Sequence, residues 1–197
     1  MRLTFLQKTL WAAVAVALAG YGALVWRAGA PDSGTVVAIE QSFRPEFRLT
    51  DATGRAVSNN DFAGRFQLVF FGFTNCPDIC PTTLAEVAEV MDALGPDAAR
   101  VQPLFISVDP ERDAGAGLAD YTAAFHPAIL GLTGSSDATR ATAASFKIAF
   151  EKEPQGETYA MAHSAALYLI GPDGEWLRQF DYGTPAADIT ADLKLRM

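Results

Sequence analysis

The sequence is short of the residue types that bind metals or carry thiol chemistry. Its 197 residues include only two cysteines and two histidines. Lysine and arginine number 15 against 23 aspartates and glutamates, and the basic residues do not cluster. Because phosphate binding needs a basic surface, the net charge of -8 argues against nucleic acid as a partner. Any thiol or soft-metal chemistry therefore depends on very few side chains.

The sequence also lacks internal repeats and low-complexity blocks. Half of its residues are hydrophobic, and its length suits one globular domain of ordinary size. We place that domain at residues 44–197. A polar stretch at 28–43, which contains Pro31 and several small residues, has the composition of a linker.

One long uncharged run, from Leu10 to Trp26, lies near the N-terminus and follows two basic residues, Arg2 and Lys8. A membrane helix needs roughly 17–25 residues, whereas a signal-peptide core has about 7–15. Length therefore favours a transmembrane anchor within residues 1–27, and Ala17-Leu18-Ala19 keeps a cleaved signal as the alternative. The positive N-terminus predicts a bacterial inner-membrane protein whose C-terminal domain lies in the periplasm.

The order of elements in the domain indicates an α/β fold. A nearly continuous apolar run at 66–73 is typical of a strand buried on both faces, and a β-hairpin at 165–180 turns at Gly171–Gly174. A dithiol that follows the first buried strand, with a hairpin completing the sheet, is the plan of a thioredoxin-like fold with a mixed sheet flanked by helices. We predict further strands at 101–108 and 129–132, and helices at 82–94, 116–125, 137–146 and 185–195.

The two cysteines, Cys76 and Cys80, lie in the stretch FGFTNCPDICPTTL. Pro81 suits the first turn of the following helix, so Cys80 is expected near the N-cap, where the helix dipole favours a thiolate. A structural disulfide, a redox pair and half of a metal site all fit a dithiol. A loop this short gives a disulfide little stabilisation. The three intervening residues, one more than in the usual redox pair, leave room for an ion.

A metal site needs a third donor, because two thiolates alone leave a soft metal short of ligands. His163 precedes the first strand of the hairpin, in a loop that a thioredoxin-like fold packs against the dithiol. We therefore predict His163 as the third ligand. His126, which ends a helix, is interpreted as a residue without a functional role, and Met161 as a packing residue.

Three separated segments resemble the Sco (Sco/SenC) family of copper-binding assembly proteins. They are the stretch from Phe71 to Leu84, the segment Ser107 to Asp113 (SVDPERD), and His163-Ser164 before the hairpin. The likeness extends from about Phe43 to the C-terminus. Two positions differ from the family's usual pattern, which often has histidine where Asn75 stands and aspartate where Ala162 stands.

The resemblance implies that Cys76, Cys80 and His163 bind one copper ion, as Cu(I) or Cu(II). It also implies a metallochaperone rather than an enzyme, whose partner is the copper-centre subunit of cytochrome c oxidase and whose task is assembly of the dinuclear copper site. The alternative is a membrane-tethered thiol–disulfide oxidoreductase that uses a Cys76–Cys80 redox disulfide to reduce the target's cysteines. A peroxidase is a third and weaker alternative, because no activating arginine is visible near Cys76.

The segment Asp109–Asp113 is shared with the family, but its chemistry is not obvious from the sequence. Asp109-Pro110 is expected to end the preceding strand, and Arg112 to pair locally in a turn. Docking of a partner is the other interpretation of this segment.

Overall fold

The structure, a computed structural model, describes residues 5–28 and 43–197, with side chains in the first range at 7 and 11–21. The chain divides into two compact units, Met1–Gln41 and Ser42–Met197. The first contains the helix α1, Phe5–Ala28. No helix in the part of the chain that the structure describes is both long and apolar enough to cross a membrane. The predicted anchor at residues 1–27 stays a prediction, and the predicted linker lies almost entirely outside the described residues.

The second unit alternates strands and helices, as the sequence predicts. Its strands are β1 (Arg48–Asp51), β2 (Ala56–Ser58), β3 (Phe66–Gly72), β4 (Val101–Ser107), β5 (Leu130–Thr133), β6 (Phe150–Gln155), β7 (Thr158–His163), β8 (Leu167–Ile170) and β9 (Trp176–Phe180). Its helices are α2 (Ile79–Leu94), α3 (Ala116–Ala123), α4 (Ser136–Ser145) and α5 (Ala186–Arg196), and short 3-10 turns cover Asn59–Phe62 and Gly95–Arg100.

Seven strands form one mixed sheet in the order β2-β1-β5-β4-β3-β8-β9. Strands β3, β4 and β5 are parallel to each other, whereas β1, β2, β8 and β9 each pair antiparallel with their neighbours. Helices connect the parallel strands, because a parallel pair needs a crossover. The predicted mixed α/β sheet of thioredoxin-like type is confirmed.

Strand β3 lies inside this sheet, between β4 and β8, and positions the cysteines. All seven of its residues are buried, because the strand has packed layers on both faces. Phe71 contacts Phe146 edge-to-face at 5.2 Å between ring centroids, and Phe70 packs against Phe105 of β4 at 6.1 Å. This rigid strand ends at Gly72. The cysteine loop, residues 73–78, follows directly and leads into α2.

Two predicted features differ from the structure near the site. Helix α2 begins at Ile79, not Thr82, since the amide that Pro81 lacks is one that a helix N-terminus leaves without a partner in any case. His163 is the last residue of β7, which pairs with β6 in a separate two-stranded sheet, rather than part of a loop. Strand β6 (FEKEPQ) is mostly exposed and polar, and so lacks the alternating apolar pattern that predicts a strand.

Candidate metal centre

Cys80 occupies the second position of α2 and is fully buried. Its sulfur lies against the backbone of Gly72 at the end of β3. A Cβ atom added at Gly72 would lie 2.9 Å from Cys80 Sγ and 2.8 Å from the Phe105 ring. The missing side chain of Gly72 is therefore what leaves space for the sulfur. An apolar strand that ends in glycine just before the cysteine loop is the signal that could have predicted this role.

Gly72→Ala is expected to destabilise the fold by about 1–3 kcal/mol, because the added methyl group overpacks a rigid core. The matched control is Gly117→Ala in α3, where an added Cβ has no neighbour within 4 Å and alanine favours the helix. Urea unfolding of both variants measures the difference. Equal stability of the two variants would contradict the packing argument.

His163 faces Cys80 from the end of β7. Its Nε2 lies 3.8 Å from Cys80 Sγ, and its Nδ1 lies 2.9 Å from the carbonyl oxygen of Ser164. Because a carbonyl oxygen only accepts hydrogen bonds, Nδ1 carries the proton in the neutral ring and the lone pair of Nε2 faces the sulfur. Phe70 and Phe73 contact the ring at 6.1 and 5.8 Å between centroids. The imidazole is thus oriented as a metal ligand would be.

Cys76 completes the cluster from the cysteine loop. Both cysteines are free, and the Cys80 N–H donates to Cys76 Sγ over 3.4 Å. Cys76 is half-buried, whereas Cys80 is buried. Across the described residues, no three His, Cys, Asp or Glu side chains already have the geometry of a metal site. Cys76, Cys80 and His163 are therefore brought together without being in coordination geometry, and their role as ligands stays a prediction.

Burial shifts the pKa values of two of the predicted ligands, the buried Cys80 and the half-buried His163. It raises the pKa of Cys80 strongly, and the hydrogen bond from the Phe73 backbone opposes this only in part. The prediction that the helix dipole favours a thiolate at Cys80 is wrong. At a fully buried sulfur, the loss of water raises the pKa more than the dipole lowers it. Burial also lowers the pKa of His163, which keeps the imidazole neutral and able to coordinate.

The Asp109–Asp113 segment forms the predicted turn after β4, and Arg112 pairs with Asp109 as expected. The carboxylates of Asp109 and Asp113 are both buried, which no pattern in the sequence indicates. The Tyr159 hydroxyl donates to Asp109 Oδ1 over 2.8 Å, and Arg112 Nη1 donates to the Tyr159 carbonyl over 3.0 Å. Since Tyr159 belongs to β7, these bonds join the turn to the strand that carries His163.

Two candidates that the sequence analysis set aside also lie apart from the cysteines. His126 Nδ1 accepts the Ala128 N–H over 3.1 Å, and its Nε2 lies 3.7 Å from Asp92. Met161 is buried and lines a cavity with Val108 and Phe150. Among the described residues, neither side chain forms a hydrogen bond with Cys76 or Cys80.

Comparison with known proteins shows the family of this chain. The SCO1/SenC family model matches residues 37–197. The chain belongs to the SCO1/SenC family. One relative of this SCO1/SenC chain, the mitochondrial protein SCO2 homolog of Bos taurus, is 40% identical over 156 residues, which are 77% of this chain and 59% of the bovine protein. The chain therefore spans less than two thirds of that relative's length.

Solved SCO1/SenC structures resemble this one closely. Bradyrhizobium japonicum ScoI, solved with copper bound, has 38% identity and a TM-score of 0.73, over 79% of this chain and 99% of the other. BsSco, described as having a disulfide switch and as a member of the Sco family of cytochrome c oxidase assembly proteins, has 31% identity and a TM-score of 0.64, over 78% and 92%. These likenesses cover the unit that contains Cys76, Cys80 and His163.

Proposed function

We propose that this protein is a copper metallochaperone that carries one copper ion on Cys76, Cys80 and His163 to the dinuclear copper site of cytochrome c oxidase. The observation that carries the proposal is the 3.8 Å approach of His163 Nε2 to Cys80 Sγ, with Nδ1 occupied by the Ser164 carbonyl. Two sulfurs and a nitrogen are soft and borderline donors, which suit Cu(I) and also accept Cu(II). Copper bound to a family member of 38% identity supports the same choice of metal.

Copper is the cargo of this site, and its release follows from the positions of the ligands. Cys76 is half-buried and therefore open to an incoming thiolate, whereas Cys80 is buried. Ligand exchange would begin at Cys76 and pass the ion to thiolates of the partner, with no net redox change in the protein. The membership of BsSco in a family of cytochrome c oxidase assembly proteins supports the copper-centre subunit of the oxidase as that partner.

An anaerobic copper titration tests the proposal. The full chain, reduced and held in detergent micelles, is expected to bind one equivalent of Cu(I) against a chelating indicator. The same chain with a Cys76–Cys80 disulfide is expected to bind none, because both sulfur ligands are then lost. Transfer is measured by adding a copper-free, reduced copper-centre domain of an oxidase. Binding that is equal in the reduced and oxidised chains would contradict the proposal.

A second candidate is a thiol–disulfide oxidoreductase that reduces the partner's cysteines. It is favoured by the unequal exposure of two free cysteines, since an exposed thiol attacks and a buried one resolves the mixed disulfide. The disulfide switch ascribed to BsSco supports it. Metal-free turnover with a disulfide substrate would establish this activity. The periplasmic location and the N-terminal tether stay predictions.

A further inference from the structure

The buried carboxylate of Asp113 has a role that neither the turn nor partner docking explains. It is 1% exposed and accepts three hydrogen bonds. Thr74 N–H donates over 2.9 Å, Thr74 Oγ1 over 2.5 Å, and Ser107 Oγ over 2.8 Å. No cation pairs with Asp113 among the residues that the structure describes. The buried carboxylate is stabilised instead by donors, two of which come from one residue of the cysteine loop.

Thr74 lies two residues before Cys76, and so its position fixes the path of the cysteine loop. Beyond Thr74 the loop is held by few contacts, among them the Cys80 N–H bond to Cys76 Sγ. Asn75, Pro77 and Asp78 are exposed, and the N–H of Cys76 makes a turn bond of 3.3 Å to Phe73. The two bonds from Thr74 to Asp113 therefore attach the loop to the turn that follows β4. This turn begins beside the buried end of β3, where Gly72 pairs with Ser107.

The same segment is joined to the strand that carries His163. Ser107 Oγ donates to Asp113 and accepts the Asp109 N–H over 3.0 Å, and Asp109 in turn accepts the Tyr159 hydroxyl. One short hydrogen-bonded path thus connects the loop that carries Cys76 with β7. Both ends of this path lead to predicted copper ligands.

We propose that Asp113 is a positioning residue, which holds the cysteine loop through Thr74 so that Cys76 is placed to share a metal ion with Cys80 and His163. The expected effect on copper affinity rests on the proposed function. The positioning of the cysteine loop by Asp113 does not depend on copper. It assigns the second half of the Asp109–Asp113 segment a structural task at the site. Asp113 would touch neither copper nor partner.

Asp113→Asn tests the inference, because the amide keeps the size of the side chain but replaces one acceptor oxygen by a donor. Asp51→Asn is the matched control. Asp51 is also buried, accepts a threonine N–H over 2.9 Å and its hydroxyl over 2.6 Å, and lies three strands away from β3. Asp51 also accepts the Arg55 N–H and forms an ion pair with the Arg55 guanidinium. Asp51→Asn therefore perturbs at least as many contacts, but only Asp113→Asn is expected to loosen the cysteine loop.

The first measurement needs no copper. Amide hydrogen exchange of the reduced full chain in micelles is followed at Cys76 and Cys80. We expect Asp113→Asn to accelerate exchange there at least about tenfold relative to Asp51→Asn, compared at equal global stability. The second measurement is Cu(I) affinity, which Asp113→Asn is expected to lower about 10–100-fold, as loss of an orienting contact does. Asp51→Asn should stay within about twofold of wild type.

Thr74→Val provides a milder variant in case Asp113→Asn does not fold. It removes the hydroxyl but keeps the backbone N–H bond, so a smaller effect of the same sign is expected, and Thr74→Ser should restore wild-type exchange. Equal loop exchange in Asp113→Asn and Asp51→Asn would overturn the inference. If wild type binds no copper, the proposed function fails, and the exchange measurement still decides the positioning role.

Discussion

Replacing Cys80 with serine is expected to lower the Cu(I) affinity of the full chain by on the order of a hundredfold or more. Structural metal sites with four ligands bind with about 10–16 kcal/mol, or on the order of 3 kcal/mol per ligand. Every 1.4 kcal/mol corresponds to about tenfold. A buried serine hydroxyl is a poor ligand for a soft ion. Competition with a chelating Cu(I) indicator under anaerobic conditions measures the loss.

The pH dependence of binding should change in the same variant. Since burial raises the pKa of Cys80, copper must displace a proton from this thiol at neutral pH. The contribution of Cys80 therefore raises the apparent Cu(I) affinity of wild type by about tenfold per pH unit near neutrality. His163 adds little to this slope, because its lowered pKa leaves the imidazole neutral. In Cys80→Ser, the apparent Cu(I) affinity should therefore rise less steeply with pH, by about tenfold per pH unit.

A control separates ligand loss from damage to the fold. Ala143→Ser places a hydroxyl at another buried helical position, in α4. We expect both serine variants to lose about 1–3 kcal/mol of stability, as for a poorly satisfied buried hydroxyl. Only Cys80→Ser should lose copper. Similar copper affinities in the two variants would rule out Cys80 as a ligand.

Replacing His163 with alanine is expected to weaken Cu(II) more than Cu(I). Imidazole is a favourable donor for Cu(II). For Cu(I), the two thiolates alone provide much of the binding free energy. We expect on the order of a hundredfold loss for Cu(II), from about 3 kcal/mol per ligand, and about tenfold for Cu(I), from about half of that free energy. Electron paramagnetic resonance of the Cu(II) form should lose the coupling to one imidazole nitrogen.

The chain offers a control for this variant in its second histidine. His126 is partly buried and hydrogen-bonded, but it contacts Asp92 and Ala128 rather than the cysteines. His126→Ala should therefore leave both copper affinities and the nitrogen coupling as in wild type. An unchanged Cu(II) spectrum in His163→Ala would remove the imidazole from the ligand set but leave the two thiolates in place.

The strong local signals in the sequence were enough to predict five strands of the large sheet, namely β3, β4, β5, β8 and β9. The apolar run that became β3 and the glycine turn at 171–174 each reflect local physical chemistry. They located the cysteine loop between a buried strand and its helix. The pairing of His163 with the dithiol followed from the fold plan together with the scarcity of histidine.

The features that escaped prediction depend on contacts between distant residues. Asp113 looks like a surface turn residue, and only the structure shows that Thr74 and Ser107 satisfy its carboxylate. The space over Gly72 depends on where Phe105 of β4 lies. The burial of Cys80 reverses an expectation that considered the helix alone. Local patterns contain no information on such neighbours.

The division of the strands into two sheets affects how copper would alter stability. His163 ends the small β6–β7 sheet, whereas Cys80 follows a strand of the large one. A metal ion shared by the two side chains would cross-link the two sheets, which no strand pairing joins. Part of its binding free energy would then oppose local opening of the β6–β7 pair, in which β6 is mostly exposed. Under the proposed function, bound copper would stiffen this strand pair, and delivery of the ion would reverse the effect.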